Sequence, residues 1–196
     1  VYVDEGPFGE ITGYYGIQRR SPVVHVRAIT HRRDFIYQGL GAAIPPTEHH
    51  NISWIMVQAD VYARTKTVVP EENIKAICLP VGGCSHSAVV SIKKTHPGQA
   101  KQLIHSVLTG IVVKRVTVVD EDIDVFDPEA VEWAVSFRSR AEDYVITTEM
   151  PNEVLDPMVA PPTFLVTKVG IDATLPLGGD KKGRTEILCD LGPARY

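Results

Sequence analysis

The chain has 196 residues, of which 44% are hydrophobic and 22% charged, with a formal net charge of −4. This is the composition of a globular chain with a sizeable core, in one large domain or two small ones. The mild acidity, with no block of like charge, excludes a nucleic-acid face and a polybasic membrane anchor, and no apolar run is long enough for a membrane span.

The chain opens Val1-Tyr2-Val3, a strand already under way and without an initiator Met, so it reads as a piece of a longer polypeptide. Asp4-Glu5-Gly6-Pro7-Phe8-Gly9-Glu10-Ile11-Thr12-Gly13-Tyr14-Tyr15 follows. Three glycines and a proline predict a tight loop between extended segments. Such a turn can fold back and bring Glu5 and Glu10 to one spot. Two close carboxylates do not easily both stay ionised, so one would be held protonated as a general acid. The alternative is two solvated loop glutamates.

Ser21 to Thr30 is rich in β-branched residues and predicts a strand. His31 to Asp34 is a polar turn, and Phe35-Ile36-Tyr37 predicts another short strand. His25 and His31 have no carboxylate or cysteine at ligand spacing, which argues against a metal. Gly39, Gly41, Pro45 and Pro46 mark a boundary near residue 45. Asn51 suits the cap of a helix over 52–65, with Ile52, Ile55, Met56, Ala59 and Ala63 as its apolar stripe. His49 and His50 are adjacent and point apart on such a helix, so they do not make a metal pair.

Beyond residue 74, strand and helix alternate. Strands are predicted over Ile74–Val81, Ala88–Lys93, Arg115–Val119 and Tyr144–Thr147. One helix starts at Pro97 and buries Ala100, Leu103, Ile104, Val107 and Leu108. Another is capped by Asp127, has Pro128 in its first turn, and carries Ala130, Val131, Ala134 and Val135 on its apolar face. This order predicts a small α/β sheet with at least one right-handed crossover. Residues 150–196 are rich in proline and glycine and read as an extended docking tail, with an exposed loop over Gly178–Arg184. The acidic stretch Asp120 to Asp124 with Asp127 reads as a negatively charged helix entry before a cation site. Cys78, Cys84 and Cys189 are odd in number and lack metal spacing, which suggests reduced thiols in a cytoplasmic protein.

The string Glu-Gly-Pro-Phe-Gly-Glu-x-Thr-Gly-Tyr-Tyr closely resembles the signature of the UbiD-type decarboxylases. Val119-Asp120-Glu121-Asp122-Ile123-Asp124 with Trp133-Ala134 and Arg138, the Lys168 to Thr174 string, and Val90 to Lys101 are also similar to that family. The resemblance implies an α/β chain, α+β overall. Residues 1–45 would be the last strands of a split β-barrel that binds prenylated FMN. Residues 46–150 would be a small α/β C-terminal domain, and 151–196 the docking tail. It implies a carboxy-lyase acting reversibly on aromatic, hydroxybenzoate-like acids or α,β-unsaturated acids. The flavin would serve as electron sink. Glu10 would return a proton to the substrate carbon, and Glu5 would hold an arginine and tune Glu10. The Arg138 carbonyl would bind a monovalent cation. Mn2+ (or Mg2+) and K+ would take most of their ligands, like the arginine, from an upstream segment of the same enzyme. Some members carry a lysine for the flavin phosphate where Leu108 stands. The resemblance also implies a homodimer or hexamer. The rival reading is a non-catalytic assembly module of such an enzyme.

Overall fold

The computed structural model describes residues 1–159 and 162–178. The predicted loop over Gly178–Arg184 falls beyond residue 178 in all but its first position, and Cys189 also lies outside the described residues.

The first unit is a small hairpin. Strand β1 (Tyr2–Glu5) pairs antiparallel with β2 (Arg19–Pro22), setting Glu5 opposite Arg19. The predicted strands over Ser21–Thr30 and Phe35–Tyr37 do not form beyond Pro22. The ladder's last bond runs from Val23 N to the Val1 carbonyl, and Val24, Val26 and Ile29 stand exposed beyond it. β-Branched residues become strand only against a partner.

The second unit is a mixed α/β layer structure. Helix α1 (Glu48–Lys66) leads into β3 (Ile74–Cys78) and β4 (Ser87–Ile92). Helix α2 (Gln99–Leu108), β5 (Arg115–Asp120), α3 (Pro128–Arg138), β6 (Tyr144–Pro151) and β7 (Leu165–Ala173) follow. The sheet order is β3-β4-β5-β7-β6, with β4, β5 and β7 parallel and the two edges antiparallel. Strand β7 therefore lies inside the sheet. Residues 165–173, expected in a docking tail, are instead a strand with partners on both sides.

Helices α1 and α2 cover one face of the sheet and α3 the other. The predicted apolar face of α2 is fully buried, and Pro97 lies just ahead of a helix that starts at Gln99. Asp127 caps α3, accepting from Glu129 N at 2.9 Å, with Pro128 in the first turn. Gly170 is where α2 meets β7. A Cβ there would lie 2.1 Å from Ile104 Cγ2, so only glycine allows the contact.

Helix α1 differs from expectation in two ways. Its cap is Thr47, which forms a capping box with His50, so Asn51 lies within the first turn. Its inward face runs through His50, Trp54, Val57, Val61 and Thr65. Ile52, Ile55 and Met56, expected to pack, are 53%, 72% and 66% exposed. Two apolar stripes compete on this helix, and the one continuous with the α2 contact is buried.

Candidate active site

The segment between β1 and β2 closes on itself. Gly9 and Tyr15 form a bridge, Glu10 N donates to the Tyr14 carbonyl at 2.9 Å, and Gly16 N donates to the Phe8 carbonyl at 2.9 Å. Gly13, at φ +80°, makes the tight turn between them, and a Cβ there would strike Ile44 at 2.4 Å. Glu5 ends β1 and Glu10 sits on this loop. Both line one small pocket of about 20 Å3, walled by Phe8, Ile17, Arg19, Val154 and Leu155. The fold-back thus brings the two sequence-predicted carboxylates to one place.

Glu5 is held from two sides. Ser21 Oγ donates to its Oε2 at 2.5 Å, and Arg19 Nε lies 3.7 Å from the same oxygen. The Glu10 carboxylate makes no hydrogen bond or ion pair among the described residues. Its backbone is fixed instead, with Gly13 N donating to the Glu10 carbonyl at 3.0 Å. Arg19 escaped the sequence reading because cross-strand register is not visible across a long loop. Val154 and Leu155 escaped it for the same reason: a distant segment, between β6 and β7, closes the pocket.

That segment is braced by buried charge. The Asp156 side chain, fully shielded, accepts from Lys114 Nζ at 2.8 and 2.9 Å, from Asn152 Nδ2 at 2.7 Å and from Met158 N at 3.0 Å. Burial alone would push the Asp156 carboxyl up. The Lys114 hydrogen bonds and charge, with the Met158 amide and nearby His86, outweigh it and hold the carboxyl below its ordinary range. His86 donates from Nδ1 to the Cys84 carbonyl at 2.8 Å, and its Nε2 lies 3.1 Å from Glu153 Oε1. The geometry of that second contact falls short of a hydrogen bond, so it is an ion pair. Burial opposes the charge on His86, yet Glu153 and the Cys84 carbonyl raise its pKa overall.

The acidic stretch is spent on protein donors. Arg138 holds Asp122 through paired contacts of 2.8 and 2.6 Å and approaches Asp120 at 3.4 Å. Asp120 also accepts from Leu175 N at 2.7 Å, and Asp124 accepts from Phe126 N at 2.9 Å. The Arg138 guanidinium further lies 5.0 Å from the Trp133 ring. Among the described residues no three His, Cys, Asp or Glu side chains gather as metal ligands. Among the described residues no helix is long and apolar enough to cross a membrane.

A hairpin with a two-glutamate loop, followed by a five-stranded mixed sheet, defines the class of fold. Its relatives identify the family. The profile of the 3-octaprenyl-4-hydroxybenzoate carboxy-lyase C-terminal domain matches residues 50–173, and that of the Rift-related domain of the same enzymes matches residues 1–45. The chain belongs to the UbiD family. It is 40% identical over 175 residues to the anhydromevalonate phosphate decarboxylase of Methanosarcina mazei, covering 88% of this chain and 40% of that protein. Its fold is similar to the UbiD-class enzyme HmfF from Pelotomaculum thermopropionicum, solved with FMN, at TM-score 0.84 and 39% identity. That match covers 97% of this chain and 42% of the other. Vanillic acid decarboxylase of Sedimentibacter hydroxybenzoicus, in its closed form, matches at TM-score 0.79 and 31% identity, over 92% of this chain and 38% of the other. The chain therefore spans about two fifths of the length of these relatives.

Proposed function

We propose that this chain carries the acid–base residues of a decarboxylase that works with prenylated FMN. The observation that supports this reading most directly is the shared pocket of Glu5 and Glu10, with Arg19 beside Glu5. The residues present fit a flat, largely apolar ring system lying against that pocket. Phe8 and Ile17, which line the pocket with the carboxylates, are 50% and 42% exposed and would hold it. When bound, the prenylated flavin supplies an electron sink for the carbon that loses carbon dioxide.

The protein's own part is the proton. A carboxylate substrate loses carbon dioxide and must gain one proton at the same carbon. Glu10, whose carboxylate has no partner among the described residues, delivers it as general acid. Glu5, tied to Ser21 and Arg19, is held beside it and orients the site. Val154 and Leu155 supply an apolar wall beside the pair. The substrate is an α,β-unsaturated or an aromatic carboxylic acid. The M. mazei relative is named for a non-aromatic phosphorylated acid and the S. hydroxybenzoicus one for an aromatic acid. We place residues 1–45 with the flavin and residues 46–150 with the assembly of a homo-oligomer, a dimer or hexamer. Monovalent-cation binding is proposed only for the Arg138 backbone carbonyl, and Mn2+ or Mg2+ is proposed to take its ligands outside the described residues.

Glu10→Gln keeps the shape of the loop and removes the proton. In the flavin-loaded enzyme, turnover should fall by about 10²- to 10⁴-fold while flavin absorbance is retained. Turnover within about threefold of the parent would exclude Glu10 as the acid.

A further inference from the structure

Among the described residues no side-chain bond aims Glu10, and its place is set by the backbone of the loop. The next residue, Ile11, is 7% exposed, and its carbonyl points into the second unit of the chain. Two side chains meet there. His50 Nε2 lies 2.9 Å from the Ile11 oxygen, and Cys84 Sγ lies 3.2 Å from it. The two side chains also touch each other at 3.1 Å.

The proton positions follow from the other contacts. His50 Nδ1 accepts from Thr47 N at 3.2 Å and lies 2.7 Å from Thr47 Oγ1. An amide donates only, so Nδ1 carries no proton and the Nε2–H donates to Ile11. His50 is completely buried and both ring nitrogens are used. Burial pushes the Cys84 thiol up, and the Glu153 charge adds to this, so the sulfur keeps its hydrogen and also donates. Cys84 sits at φ +46° and Ser85 at φ +67°, left-handed backbone at consecutive residues that are not glycine. Such a conformation is costly and marks a place where geometry matters more than local comfort. The strain turns Sγ onto the Ile11 oxygen. The residues on either side come from different elements: the first turn of α1 and the β3–β4 connection.

We propose that His50 and Cys84 are positioning residues for Glu10, gripping between them the carbonyl of Ile11 on the signature loop. The proposal rests on the reading of Glu10 as the acid. The grip ties the loop to the sheet domain at a single oxygen. It anchors Glu10 through the main chain. A carboxylate fixed at its root keeps its place while its side chain turns toward a substrate carbon.

Amide hydrogen exchange at Glu10, Gly13 and Gly16 reads the order of the loop without any turnover. In the chain carrying His50→Phe, exchange at these three amides should be about five- to tenfold faster, with the amides of β4 and β5 unchanged. His50→Gln, which still offers an N–H, should restore the parent rates. Cys84→Ala should give a smaller rise at the same three amides, and it carries the test if His50→Phe does not fold. Unchanged loop exchange in His50→Phe and Cys84→Ala would overturn the proposal. So would an equal rise in β4 and β5, because the residues would then hold the fold and not the loop. The Glu10→Gln turnover test is separate, so the two readings fail independently.

Discussion

Asp156 shows how much one buried residue is asked to do here. Three donors converge on it through four hydrogen bonds, and its neighbours Val154 and Leu155 line the glutamate pocket. Its folded pKa is depressed, so its contribution to stability is present above the ordinary carboxylate pKa and is lost as the pH falls through the folded value. Asp156→Asn removes the charge and leaves Lys114 without its partner. It should lower stability at pH 7 by about 3–5 kcal/mol, the usual cost of breaking a buried pair. Because Lys114 is partly solvated, the lower end applies. Urea melts from pH 7 downward check this: the gap between parent and variant should be widest at pH 7 and narrow as the pH falls below the ordinary carboxylate range. A gap of constant size down to pH 2 would show that charge is not the cause.

Among the elements, α2, α3 and the strands β4 and β5 were legible from their apolar residues and clear end signals. Asp127-Pro128 is such a signal, and so is the Leu103-Ile104-Val107-Leu108 run. Helix α1 was legible as a helix and misread as to its face. Its buried stripe contains His50 and Thr65, residues that hydropathy counts as polar, and its exposed stripe contains Ile52, Ile55 and Met56. Strand β7 was hidden by its surroundings: prolines and glycines flank it, and Lys168 and Asp172 interrupt its apolar run. The pairing of Glu5 with Glu10 was readable from the glycine pattern. Arg19, His50 and Cys84 were not, since each reaches the site from another element by tertiary contact alone. We propose the outward stripe of α1 as the place where this chain meets a second copy. Ile55→Glu should therefore lower the mass seen by light scattering on the assembled enzyme to that of a smaller unit. An unchanged mass would move the interface elsewhere.

At the level of the whole molecule, the least expected feature of the core is a charge. Lys168 is completely buried on β7 and donates to the Gly110 carbonyl at the end of α2. Burial first, and then the Arg64 charge, lower its pKa to about 8, while Asp156 works the other way. The unfolded lysine keeps its proton up to about pH 10.4. Between about pH 8 and that value the unfolded chain holds more protons than the folded one, so this group makes stability rise with pH. A chain with Lys168→Met should lack that rise. Thermal melts from pH 7.5 to 9.5, parent against variant, measure the difference, and parallel curves would refute the assignment.

Strand β7 has a consequence for how the molecule comes into being. Among the described residues it is the last strand made, and it enters between β5 and β6, both finished well before it. Until Leu165 leaves the ribosome, β5 has one bare edge and β6 has no neighbour at all. The layer of β3, β4, α2 and β5 can assemble from nearby sequence, whereas β6 must wait, held at a distance, for a strand that follows it. During synthesis the sheet therefore exists as an unfinished half with an open edge, the state in which a nascent chain is most exposed to pairing with the wrong partner.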